Sequence, residues 1–271
     1  MPTIPSGVTP APRPEPHHLR AMAQSFGVDA ERYDRTRPRY PERLLARAVA
    51  DTPGPRVLDI GCGTGILARQ LQAAGRTVLG VDPDARMAEL AGRLGVEVEV
   101  ATWEAWDPAG RAFDALVAGQ AWHWIDPVAG AAKAARVLRP GGRLTALWNV
   151  VTLPPKVADA LADAYRRFVP ALPVVDQQAT LTAYQKLFAK VADGMEQATG
   201  LDTPKQWSHA WDHPYTRAAW LEQLPTHGPL TTLPPDQWAR VRDSVGAAID
   251  TLGGGFTARY TTVAVSAVRA T

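Results

Sequence analysis

Hydrophobic positions along the chain change their period several times, and the changes divide it into elements. Val57, Leu58 and Ile60 form a short apolar run suited to a strand buried on both faces. Gly61, Gly63 and Gly65 follow, before a helical pattern that begins near Ile66. The run Thr77-Val78-Leu79-Gly80-Val81 repeats the strand signal, and Met87, Leu90 and Leu94 then recur at helical spacing. Val96, Val98 and Val100 alternate with Glu97 and Glu99, which predicts a third strand, and residues 113–118 predict a fourth. An alanine-rich helix is expected over 129–138, stopped by Pro140, Gly141 and Gly142 ahead of a strand over 143–148. Strands alternating with helices in this way predict an α/β protein with a mostly parallel sheet.

The flanks read differently. Residues 1–18 carry six prolines and little to bury, a composition that predicts a disordered tail. Residues 19–55 read as a helical cap: one pattern lies before Gly27, one over 30–35 with Asp29 as its cap, and one over 42–50 with Pro41 in its first turn. Beyond the core block of 56–150, residues 151–202 read as a helical lid insertion, with helices over 158–168, 180–188 and 191–198. Residues 203–271 return to the core through a strand over 205–213, helices over 216–224 and 235–252, and a closing strand over 257–267.

At 271 residues the chain is long enough for one well-buried core with an insertion. Its 29 basic and 27 acidic residues are interspersed, so no field is expected that would attract nucleic acid. Cys62 is the only cysteine, which excludes an internal disulfide. No apolar run is long enough to span a bilayer and the first residues lack a secretory pattern, so a cytoplasmic protein without membrane partners is expected. No Cys, His, Asp or Glu follows His17 and His18 at ligand spacing, and no metal is expected.

Candidate chemistry centres on the glycine turn, whose residues tolerate positive φ and let backbone N–H groups approach a ligand. Asp82, 17 residues after Gly65, stands where a carboxylate accepts ribose hydroxyls. Ile66 occupies the place of the third glycine of a dinucleotide fingerprint, which counts against a nicotinamide ligand. Asp59 would repel a pyrophosphate and attract a cation. A tight turn in some other α/β protein is the plain alternative.

The stretch from Asp59 to Gly65, Asp-x-Gly-x-Gly-x-Gly, resembles the first motif of the class I S-adenosylmethionine-dependent methyltransferases. The segment Tyr33-Asp34-Arg35-Thr36-Arg37-Pro38-Arg39-Tyr40-Pro41 is similar to one in the small-molecule methyltransferases related to trans-aconitate methyltransferase. Gln120-Ala121-Trp122-His123-Trp124 after the fourth strand, and Leu138-Arg139-Pro140-Gly141-Gly142 before the fifth, resemble the same group. Gly119-Gln120-Ala121-Trp122 differs from the Asn/Asp-Pro-Pro-Tyr/Phe type of motif in amine methylases of nucleic acids and proteins. The resemblance implies a Rossmann-like seven-stranded sheet in the order 3-2-1-4-5-7-6 with helices on both faces. It implies S-adenosyl-L-methionine as cofactor, S-adenosyl-L-homocysteine as product, a small-molecule methyl acceptor, and a monomer or homodimer.

The cofactor set so implied is Tyr33, Arg37, Asp59, Gly61, Cys62, Gly63, Asp82, Pro83, Met87, Thr102, Trp103, Glu104 and Gln120. Tyr33 would pack on the methionine end, Arg37 would pair with its carboxylate, and Gln120 would lie beside it. Thr102 replaces a frequent aspartate and Trp103 a usual small residue, so backbone contacts from Trp103 and Glu104 are expected at the adenine. Trp122, His123, Trp124 and Trp148 would wall the acceptor pocket, with cation–π contact to the methyl donor. The string Trp220-Leu221 through Leu224-Pro225-Thr226-His227 resembles an acceptor-side segment from which His227 and Gly228 depart. Methyl transfer from a sulfonium is an in-line displacement. A carboxylate acceptor needs no base, whereas a hydroxyl would need one, for which His123 is the catalytic candidate. Two rival readings are a nicotinamide-type Rossmann oxidoreductase, which lacks its Tyr-x-x-x-Lys pair here, and a non-catalytic S-adenosylmethionine-binding protein.

Overall fold

The computed structural model describes residues 25–168 and 177–271. The expectations for the proline-rich tail, for His17 and His18 and for the helical pattern from residue 19 lie outside the described residues. Seven strands form one sheet in the order β3-β2-β1-β4-β5-β7-β6. They are β1 (Arg56–Ile60), β2 (Thr77–Asp82), β3 (Glu97–Val100), β4 (Phe113–Gly119), β5 (Leu138–Thr152), β6 (Lys205–Thr216) and β7 (Gly255–Val268). The first five are parallel, and β7 runs antiparallel to both β5 and β6.

Nine α-helices accompany them among the described residues: α1 (Ala30–Thr36), α2 (Glu42–Ala48), α3 (Ile66–Ala73), α4 (Ala85–Arg93), α5 (Pro127–Val137), α6 (Pro155–Phe168), α7 (Gln177–Glu196), α8 (Arg217–Gln223) and α9 (Pro235–Asp250). None is long and apolar enough to cross a membrane. Successive strand residues enter opposite layers, as the pleat requires. Val57 and Leu147 join Leu44 of α2 and Leu67 of α3 on one face. Leu58 and Trp148 join Trp122 and the α7 residue Phe188 on the other. A third cluster sits between α6, α8, α9 and the start of β7, around Trp220 and Val245. The edge strand β3 has no second neighbour, which is why its alternating glutamates and Val100 reach solvent.

Several boundaries differ from the sequence reading for identifiable reasons. Helix α5 begins two residues early, because the Asp126 side chain accepts from the backbone N–H groups of Val128 and Ala129 at 3.1 and 2.8 Å, with Pro127 at the first helical position. Pro41 is the N-cap of α2 rather than a residue of its first turn, and the helix stops at Ala48. Strand β5 starts at Leu138, because a register shift between the Phe113 and Ala115 pairs takes up Arg139 to Gly142, with Gly141 at φ 75°. The two helices expected over 180–198 are the single α7, since no breaker lies between them.

The insertion therefore contributes to the core. Phe188, Val191 and Met195 of α7 are buried in the same layer as Trp122 and Trp148, and α7 lies on α5. The two helices meet tightly at Gly194, where an added Cβ would lie 2.6 Å from the Pro127 carbonyl oxygen and 2.7 Å from its carbon. Gly194→Ala should gain ~0.5–1 kcal/mol of helix propensity and lose about 1–3 kcal/mol to overpacking against backbone. Urea unfolding should therefore show net destabilisation; a more stable variant would mean that the α5–α7 contact is not tight.

Candidate functional site

The carboxyl ends of β1, β2 and β4 converge where an open α/β sheet places its ligand crevice. Between β1 and α3 the chain turns through Gly61, Gly63 and Gly65 at φ 67°, 56° and 80°, a region costly for residues with a Cβ. At Gly61 a Cβ would also lie 2.4 Å from that of Ala121, so the turn can pass beneath the loop after β4 only as glycine. Asp82 ends β2 facing this turn. Its Oδ2 accepts from the Gly63 N–H at 2.8 Å and its Oδ1 from the Asp84 N–H at 2.9 Å, which leaves lone pairs on both oxygens for further donors.

A cavity of about 370 Å³ opens above the turn. A neighbouring one of about 200 Å³ shares Tyr33, Arg37, Gln120 and His227 with it, so the two form one crevice. The larger is walled by Gly61, Gly63, Asp82, Pro83 and Met87, by Thr102, Trp103 and Glu104 of the loop after β3, and by His123 and Trp124. The smaller contains Asp59 and Cys62. Trp103 fits where a small residue is usual because its indole is taken up by the core. It stacks on Trp106 at 5.7 Å and donates to the Gly130 carbonyl at 3.2 Å.

Trp122 and Trp148 are corrections: neither walls the crevice. The chain leaves β4 through a single 3₁₀ turn, Trp122–Trp124, whose three side chains fan out around its axis. Trp122 is fully buried in the layer beside Gly130, while His123 and Trp124 face the cavity. Trp148 is also fully buried, its ring 5.4 Å from that of Phe188, and its Nε1–H donates to His123 Nδ1 at 3.1 Å. Burial pushes the His123 pKa down to about 4, so the ring is neutral at pH 7 and poorly suited to the base role expected of it.

The remaining charges are arranged unequally. Asp59 is fully buried, and neither oxygen closes a hydrogen bond of normal geometry. Burial and then the Asp82 charge push its pKa up to about 8, with the Ala68 N–H opposing. Burial likewise raises Asp82 to about 6 against the Asp84 and Gly63 amides. Arg37 lies over the Tyr33 ring at 4.9 Å and donates from Nη2 to the Thr226 carbonyl at 2.5 Å. Its Nε is buried without a partner, and it makes no ion pair among the described residues. The His227 Nε2 meets Gln223 Nε2 at 3.1 Å, and burial followed by the Arg37 charge holds His227 well below its ordinary pKa.

Some contributors were not foreseen. Phe26, Ile125 and Tyr165 line the larger cavity and Asn149, Tyr184 and Tyr260 the smaller. Tyr165 and Tyr184 come from the insertion, where no pattern marked them. Lys133 on α5 donates from Nζ to the carbonyls of Trp103 at 2.6 Å, Glu104 at 3.3 Å and Trp106, holding the loop after β3. A lysine within an otherwise apolar alanine run was the available signal. Asp34 accepts from Thr64 Oγ1 at 2.8 Å and pairs with Arg69, which fastens α1 to the glycine turn.

The crevice suits S-adenosylmethionine on its own evidence. An uncompensated buried carboxylate matches a ligand with an ammonium and a sulfonium, and Asp82 has acceptor capacity for a ribose diol. A family model for the methyltransferase domain matches residues 33–177, more than half of the chain. The chain belongs to the methyltransferase domain family. An uncharacterized methyltransferase of Mycobacterium tuberculosis is 40% identical over 133 residues, which is 48% of this chain and 54% of that relative. The ubiquinone biosynthesis O-methyltransferase of Methylocella silvestris is 33% identical over 132 residues, 46% of this chain and 47% of the relative. The chain thus spans about half the length of the curated relatives it matches. Among solved structures, a putative type II methyltransferase from Anaeromyxobacter dehalogenans superposes with a TM-score of 0.56 at 24% identity, covering 85% of this chain and 97% of that one. The sheet order is that of the class I methyltransferase fold, and the family match covers β1 to β5 with the glycine turn.

Asp59 makes the methyltransferase domain sensitive to pH in a defined direction. Its folded pKa of about 8 lies above the ordinary 3.8, so the folded chain retains a proton that the unfolded chain has lost. Stability from this group therefore falls as pH rises between those two values. Asp59→Asn should melt at a higher temperature than wild type at pH 8, with the gap closing toward pH 5, and should bind S-adenosylmethionine more weakly. Thermal melts with and without that ligand check both; a variant less stable at pH 8 would show the carboxylate to be compensated.

Proposed function

We propose that the methyltransferase domain is an S-adenosylmethionine-dependent enzyme that methylates an oxygen of a small anionic acceptor, a carboxylate or an ionised hydroxyl. The uncompensated Asp59 beneath the glycine turn carries the cofactor half of this reading. When bound, S-adenosylmethionine supplies a methyl group on a positively charged sulfur. Asp59 and Asp82 hold the cationic and ribose portions, while Thr102, Trp103 and Glu104, held by Lys133, shape the adenine end. Tyr33 and Arg37 close over the methionine end. Gln120 is set rigidly: it adopts φ 60°, its N–H donates to the Leu147 carbonyl at 2.8 Å, and its Nε2 donates to that of Asn149 at 3.3 Å.

The acceptor half is supported by charge. The carboxylates around the larger cavity, Asp82, Asp84 and Glu104, belong to the cofactor half, as does Asp59 of the smaller one. The rest of the wall offers Arg37, neutral histidines, amides and tyrosines. An ammonium acceptor would find no free carboxylate there, whereas an oxyanion would meet neutral hydrogen-bond donors beside the positive field of Arg37. The O-methyltransferase among the relatives is consistent with that choice. The work left to the protein is alignment and exclusion of water, worth ~7–11 kcal/mol in well-oriented systems. We assign the exclusion to the helical insertion as a lid, with Tyr165 from α6 and Tyr184 from α7 facing the crevice.

Transfer of labelled methyl from S-adenosylmethionine into a mixed pool of small carboxylic acids, phenols and amines tests the reading. Label should enter acids or acidic phenols; label confined to amines would overturn the acceptor class, and binding of a nicotinamide cofactor without S-adenosylmethionine would overturn the whole. Asp82→Ala removes charge-assisted hydrogen bonds worth about 1.5–3 kcal/mol, so calorimetry should find S-adenosylmethionine affinity lowered roughly 10–100-fold.

A further inference from the structure

We infer that Trp148 is a positioning residue: through its bond to His123 it turns that histidine into a hydrogen-bond donor aimed at the acceptor oxygen. The inference rests on the methyl-transfer reading for what occupies the crevice, and on geometry for the rest. An indole N–H can only donate. The Nδ1 of His123, 3.1 Å from Trp148 Nε1, must therefore present its lone pair, and the neutral ring carries its proton on Nε2. Both partners are held. Trp148 stands on β5 opposite Val263 of β7, fully buried, with Phe188 of α7 against its ring. His123 is fixed in its 3₁₀ turn with Trp124 at 4.6 Å and lines the cavity; with Nδ1 engaged by Trp148, Nε2 is the ring nitrogen left for a ligand.

The consequence reverses the role expected of His123. To act as a base it would need a free lone pair on the cavity side, and the tautomer that supplies one breaks the bond to Trp148. The acceptor must then arrive already ionised. One of its oxygen lone pairs forms the new O–C bond as the C–S bond breaks, the C–S electron pair stays on sulfur, and the sulfonium becomes a neutral thioether. The anion and cation charges cancel, and no proton passes to the protein. His123 Nε2–H orients the oxygen and favours an anion over an ammonium.

The tautomer can be read without turnover. Nitrogen-15 spectra of the full chain at neutral pH, with His123→Gln to assign the resonance, should show His123 protonated on Nε2. They should also show a coupling across the hydrogen bond between Trp148 Nε1 and His123 Nδ1. A proton on Nδ1, or an equal mixture of tautomers, would overturn the inference, and this holds even if no methyl transfer is ever detected. With S-adenosylhomocysteine bound, a panel of acetate, benzoate and citrate should include at least one carboxylate that shifts the His123 Nε2–H resonance, whereas benzylamine should not. A resonance that no carboxylate moves would overturn the donor role. Trp148→Phe should lose the coupling, mix the tautomers and weaken the active carboxylate roughly tenfold, with S-adenosylhomocysteine affinity unchanged; if that variant does not fold, the wild-type spectra alone still decide.

Discussion

Two carboxylates, Asp59 and Asp82, lie buried at the ends of adjacent parallel strands, and the crevice is arranged around their unequal treatment. Asp82 receives two backbone N–H groups from the turns that flank it, so its charge is partly met and its oxygens point a remaining acceptor surface outward. Asp59 receives no bond of that quality. Placing an unmet carboxyl in a protein interior is costly, and nothing in the packing of β1 asks for one: Val57 and Leu58 show that apolar side chains fill both layers there. A cationic ligand supplies what the protein withholds. The glycine turn serves the same end, because without Cβ atoms the chain can run close beneath the loop after β4 while the Gly63 N–H meets Asp82.

A site built on loops needs bracing, and each loop has its own. The segment from Tyr33 to Arg37 is tied to the glycine turn through Asp34, to α8 through Arg35 and Glu222 at 2.6 Å, and to the Thr226 carbonyl through Arg37. The loop after β3 hangs from Lys133, whose ammonium satisfies its carbonyls and faces the Trp103 ring at 4.8 Å. The turn after β4 is held by Trp148. Apart from the exposed Arg35–Glu222 pair, these braces are polar contacts in half-buried places, where a missing partner costs more than a present one contributes. They act as position-setters more than as sources of stability.

What was legible in the sequence follows from how local each signal is. The strand runs, the glycine turn, Asp59 and Asp82 are read from neighbours a few residues apart, and the sheet order came with the motif resemblance. The fates of the three tryptophans near the crevice were not local. Trp122 and Trp124 differ only by their angular position around one 3₁₀ turn, and Trp148 is withdrawn because α7, about 40 residues later, lies over it. Large aromatic side chains near a site read as pocket walls from sequence alone, whereas burial is decided by which element covers them. The Asp126-Pro127 start of α5 was legible in principle, being a cap followed by a proline.

Family resemblance and acceptor choice separate in part along the same line. The span matched by the family model, residues 33–177, contains the glycine turn, Asp59, Asp82, the loop after β3 and Gln120. It stops before Tyr184, His227 and Tyr260, which complete the wall around Arg37 on the other side. Tyr184 reaches the crevice on α7, whereas His227 and Tyr260 reach it because β6 and β7 run antiparallel beside β5 and bring the last part of the chain back to the ends of the parallel strands. The residues proposed to hold the cofactor thus lie within the shared part of the chain. The wall proposed to choose the acceptor is assembled from both parts, Arg37 and His123 from the matched span and His227 from beyond it, with both histidines kept neutral by burial.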